Sequence, residues 1–132
     1  MSPGRRPLLL GLLGASPARA QEPPLTGLIG GDMVALAAHP AVRVLLRNAA
    51  RGFQQHVYEG LRLPGPRIAE TANWLVGWGR QDQRGLFIAF EMREEQLVLF
   101  LLVDGRPTYL SPRSSHWPPA LAEPFTAFRA AG

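Results

Sequence analysis

The chain contains no cysteine and no lysine. Without thiols, disulfide staples and cysteine-held zinc are excluded, so the fold must be held by its core. The three histidines, His39, His56 and His116, are far apart and lack H-x-x-x-H or E-x-x-H spacing, which leaves no metal site to read. A phosphate-cradling loop is missing too, because Gly77-x-Gly79 lies among strand residues and does not open a helix. Ser114-Ser115-His116 sets hydroxyls beside an imidazole, but no G-x-S-x-G elbow surrounds them. Adjacent side chains rarely face each other, so these three read as a loop. Asp82, Glu91 and Glu94 have no spacing that pairs carboxylates across a cleft. The expectation is a protein that is not an enzyme, with no cofactor and no metal.

Net charge is also scarce. The full chain carries fourteen basic residues, all arginine, against ten acids. Arg5, Arg6 and Arg19 fall in a segment that reads as a signal peptide: a basic start, the short apolar run Leu8 to Ala15, and Ala18-Arg19-Ala20 as the cleavage site. Arg5-Arg6-Pro7-Leu8-Leu9 also resembles a twin-arginine export signal, although the general secretory route fits better. Cleavage after Ala20 predicts a periplasmic or secreted protein. It leaves eleven arginines against ten acids, a balance of +1. No basic stripe remains, so nucleic acid is excluded as a partner. No later apolar run reaches bilayer length without charge or turn residues, so no membrane span is expected after cleavage. The remaining 112 residues (132 minus 20) are enough for one domain with its own core.

The mature chain divides into an extended lead-in, 21–31, rich in proline and glycine, and one domain, 32–132. Asp32 is placed to cap a short helix over Met33 to Ala38. His39-Pro40 ends that helix, because a residue before proline leaves the α region. Pro40 then suits the first turn of the next helix. Val42, Leu45, Leu46, Ala49, Phe53 and Val57 recur at three- and four-residue steps, which predicts one long helix from Pro40 to Glu59. Arg43, Arg47 and Arg51 lie on its opposite face, a solvated ridge or an anion-binding one.

Strand patterns fill the middle. Arg67 to Ala72 is a first strand, with Asn73 at a turn. Trp74, Val76 and Trp78 share one face by period two. Phe87, Ala89 and Glu91 face one way, and Leu86, Ile88, Phe90 and Met92 the other. Leu97 to Val103 is almost wholly apolar, the mark of a strand covered on both faces. Asp104-Gly105 is a hairpin turn. Ala120 to Ala130 reads as a C-terminal helix, kinked or restarted at Pro124. The order predicts an α+β fold: an antiparallel meander of four to five strands, with a long N-terminal and a C-terminal helix packed on one face of the sheet. An exposed edge strand leaves a homodimer open.

The stretch from Arg80 to Arg84 places five polar residues, Arg80, Gln81, Asp82, Gln83 and Arg84, between two aromatic-rich strands. Loops on a rigid sheet commonly carry binding, and arginine suits bidentate contact with carboxylates. These five are the candidate partner-binding loop. Trp74 and Trp78 are the candidate flanking contact surface.

From Leu36 to Leu110 the chain resembles the Ivy family, periplasmic inhibitors of vertebrate-type lysozyme. The likeness rests on Gly60-Leu61-Arg62-Leu63-Pro64 after the helix and on Ile88-Ala89-Phe90 after the polar loop. In that family the loop reads Cys-Lys-Pro-His-Asp-Cys, is closed by a disulfide and enters the lysozyme cleft. Counted back from Ile88, it falls on Trp78 to Gln83. Asp82 is kept, Gln81 stands for the histidine, Arg80 for the proline, and Trp78 and Gln83 for the cysteines. The resemblance implies a binding protein whose partner is a lysozyme-type muramidase, inhibited more weakly because the loop is not closed. The alternative is a small-ligand or envelope-associated binding module that uses the other sheet face. A third reading is an enzyme whose site one sequence does not reveal.

Overall fold

A computed structural model describes residues 23–112 and 117–132. The expected signal peptide and Ser114-Ser115-His116 lie outside the described residues. Helices α1 (Met33–Ala38), α2 (Pro40–Ala49) and α3 (Gln54–Gly60) precede five strands, and α4 (Ala122–Ala130) follows them. The strands are β1 (Ala69–Thr71), β2 (Trp74–Gln81), β3 (Arg84–Glu91), β4 (Gln96–Val103) and β5 (Arg106–Ser111), paired antiparallel in chain order.

The helix boundaries follow local chemistry. The Asp32 carboxylate accepts from the Ala35 amide at 2.9 Å and caps α1. His39 has a larger part than a pre-proline boundary requires. Its Nδ1 accepts from the Ala41 amide at 3.0 Å, which caps α2, and its Nε2 donates to the Pro23 carbonyl at 2.7 Å. Both contacts together select the Nε2–H tautomer. This buried imidazole therefore fastens the lead-in to the start of α2.

The single helix expected from Pro40 to Glu59 is two. Gly52 has φ +88°, the left-handed region where α2 cannot continue. Phe53 donates to the Ala50 carbonyl across the turn at 2.7 Å, and α3 starts again at Gln54. Val42, Leu46, Ala50 and Val57 are buried in one core with Leu45, Ala49 and Phe53 packed against it, so the apolar stripe crosses the break.

The helices cover both faces of the sheet, not the single face that the order of elements predicts. Leu75, Leu86, Ile88, Phe90, Leu97, Leu99 and Leu101 point to α1–α3. Trp74, Val76, Phe87, Ala89, Val98, Phe100 and Leu102 point to α4. Successive strand residues alternate faces, so strands as apolar as β3 and β4 require cover on both. The α4 side is aromatic. Phe87 stacks on Trp117 at 5.6 Å, while Phe125 and Phe128 meet Phe100 edge-on at 5.0 and 5.7 Å. Pro124 occupies the first turn of α4, where its missing N–H has no partner to lose.

The glycines of Gly77-x-Gly79 admit close packing on the helical side. A β-carbon would lie 2.9 Å from the Met33 side chain at Gly77 and 2.6 Å from the Leu63 carbonyl oxygen at Gly79. Ahead of β1 in the chain, the 63–66 loop lines β2, with the Arg80 amide donating to the Pro64 carbonyl at 2.9 Å.

Candidate functional site

Pairing of β2 with β3 runs out to Gln81 opposite Arg84, so the five-residue loop expected from Arg80 to Arg84 is a two-residue turn, Asp82-Gln83. Polar side chains had suggested loop backbone, but exposed strand ends tolerate them as readily. Asp82 takes φ +56°, a conformation that aspartate visits more easily than most residues. Gln81, Asp82, Gln83 and Arg84 are exposed. An Arg84 Nη donates to the Gln81 amide oxygen at 3.2 Å across the strand pair.

A second tip lies alongside. The β4–β5 pairing ends at Val103 opposite Arg106, leaving Asp104-Gly105 as the turn anticipated from sequence. In an antiparallel meander alternate turns fall at the same end of the sheet. The Gly105 amide accordingly donates to the Gln83 carbonyl at 2.9 Å. Sequence reasoning missed this junction, although the matched eight-residue lengths of β3 and β4 carried the signal.

Arg80 is half-buried and is not presented with the others. By strand alternation it points to the α4 side. One Nη donates to the Phe128 and Arg129 carbonyls at 2.7 and 3.2 Å, and the second donates to the Asp82 carbonyl at 2.9 Å. The guanidinium carbon lies 5.3 Å from the centre of the Phe128 ring.

The two tryptophans part company as well. Trp74 is 5% exposed and belongs to the core under α4. Trp78 is half-buried and meets Phe128 edge-on at 5.9 Å. It also lines a groove of about 440 Å³ with Pro66, Ala69, Val76, Pro124 and Ala127.

Between α3 and the paired tips lies a smaller hollow of about 210 Å³, with Leu63 and Leu101 in its lining and His56, Glu59, Arg84 and Asp104 around it. Guanidinium, imidazole and two carboxylates thus ring one opening. His56 and Glu59 come to it from an exposed helix face that reads from sequence as plain surface. No group of three His, Asp or Glu residues is placed to hold a metal among the described residues.

The tip can therefore exchange hydrogen bonds and ion pairs with a partner. Gln81 and Gln83 offer amides that donate and accept, Asp82 offers an acceptor, and Arg84 a cationic fork. Comparison with family models, curated proteins and solved structures returned no match to this chain. Among the described residues no helix is long and apolar enough to cross a membrane.

Proposed function

We propose that this chain is an exported, non-enzymatic binding protein of lysozyme-inhibitor type, which engages a muramidase through Gln81, Asp82, Gln83 and Arg84. The observation that carries the reading is the exposure of these four side chains on a turn fixed from two directions. A lysozyme-type cleft presents two carboxyl groups. The Arg84 fork matches a carboxylate, and the Gln81 amide can donate beside it. The Ivy-like loop would be closed by a disulfide. Here the Gly105 amide and the Arg80 guanidinium hold the turn instead, which lowers the entropy lost on binding.

Retention on immobilised lysozyme tests this. The purified mature chain is expected to be retained and eluted by salt, because the contacts are polar and charged. Passage at low salt would count against the reading.

A second reading rests on the groove beside Trp78. Its lining is mostly apolar, and it suits a small apolar ligand in an envelope-associated binding module with no muramidase target. A co-purifying small molecule whose binding quenches tryptophan fluorescence would favour that reading.

A further inference from the structure

We infer that Arg80 is the positioning residue of the tip, joining the Asp82-Gln83 turn to the last turn of α4 rather than touching the partner itself. The inference deepens the proposed function and rests on it only for the meaning of the tip as a binding surface.

Four observations place the arginine in this role. First, the final carbonyls of a helix have no partner within the helix, and cations are favoured there. Arg80 donates to the Arg129 carbonyl and to that of Phe128, which also accepts from the Ala131 amide at 3.3 Å. Second, the same guanidinium donates in another direction to the Asp82 carbonyl, within the turn. A planar fork can do both at once, and an ammonium on a flexible stem cannot do so with fixed geometry.

Third, the side chain has a built seat. Its pairing partner across the sheet is Gly85. A β-carbon there would overlap the Arg80 arm and come within 2.9 Å of the Phe128 ring. Absence of a side chain at Gly85 is what lets the arginine pass beneath Phe128. Fourth, Arg80 Nε is shielded from solvent and has no hydrogen-bond partner, so the arm is seated against protein at the cost of one unsatisfied donor and is held by its Nη contacts.

The chain of contacts continues beyond Arg80. The turn it holds presents the Gln83 carbonyl, which accepts from Gly105 in the neighbouring hairpin. The Gly105 amide is therefore a reporter of tip geometry that belongs to a different hairpin from Arg80.

The test is amide hydrogen exchange on the free protein, comparing the parent with Arg80→Lys and Gly85→Ala. The first keeps a charge and loses the fork, and the second keeps the arginine and fills its seat. Both variants are expected to speed exchange at Gly105 roughly tenfold, the order set by losing one hydrogen bond to a charged group. Amides in the middle of β3 and β4 should keep their protection. Faster exchange at the end of α4 with Gly105 unchanged would overturn the proposal, since Arg80 would then only cap the helix. Equal acceleration at every amide would overturn it too, since the contact would then serve general stability. No partner enters the experiment, so a chain that fails to bind muramidase would sink the proposed function and leave this result standing.

Discussion

The amide of Gly105 donates to the carbonyl of Gln83 at 2.9 Å, and through this bond the tips of the β2–β3 and β4–β5 hairpins act as one surface. Gly105 has φ +80°, so a side chain there is strained whatever space it finds. Gly105→Ala is expected to cost about 1 kcal/mol of stability and to loosen the Asp82-Gln83 turn. Denaturant midpoints measure the first effect, and chemical shifts of Gln83 and Arg84 the second.

Gly65 and Gly52 make a contrasting pair. A β-carbon on Gly65 would fall onto the Trp78 carbonyl oxygen, which is backbone and cannot swing away. Gly52, with φ +88°, has nothing within 4 Å of that position. Gly65→Ala should therefore destabilise by about 2–3 kcal/mol through overpacking. Gly52→Ala should lose only about 1 kcal/mol through backbone strain. Urea melts of both variants give the comparison, and a larger loss at Gly52 would contradict this packing.

Phe128 anchors α4 to the sheet. It is fully buried and meets Trp78, Phe87 and Phe100 edge-on at 5.7 to 5.9 Å. Phe128→Ala is expected to cost about 3–5 kcal/mol. The near-ultraviolet circular dichroism of the tryptophans should fall with it, because Trp78 and Trp117 belong to the same cluster.

Much of this arrangement is readable from the chain, and the reasons differ by element. The alternation of Phe87 and Ala89 against Leu86, Ile88 and Phe90 follows from strand geometry alone, and the structure sends the two sets to opposite cores. The Asp104-Gly105 turn and the Asp32 cap are equally local. The break at Gly52 is hidden because the apolar stripe from Val42 to Val57 keeps its spacing across it. The two-sided cover was signalled by the apolar residues on both faces of β3 and β4, which the order of elements alone does not register. The bridge made by Arg80 left no trace in residue type. Its partners are main-chain carbonyls, two of them 48 and 49 positions away, and any residue there would supply them.

His39 gives a prediction on the opposite side of the molecule. His39→Ala removes both the cap on α2 and the tie to Pro23, for an expected loss of about 1–2 kcal/mol. His39→Asn can restore the cap but does not reach Pro23 in the same way, and should recover about half. Thermal melts that place the two variants together would show that capping contributes little.

The proposed binding through four exposed side chains at the tip is open to direct test on a muramidase. The most direct measurement is a muramidase activity titration with the purified mature chain and with a Gln81→Ala, Arg84→Ala double variant. Both positions are exposed and, among the described residues, the only side-chain hydrogen bond lost is the one they share, so stability should change by no more than about 0.5 kcal/mol. Inhibition by the parent is expected, with at least roughly tenfold weaker inhibition by the variant, as losing charge-assisted contacts implies. Equal inhibition by the two proteins, or none by the parent, would contradict it.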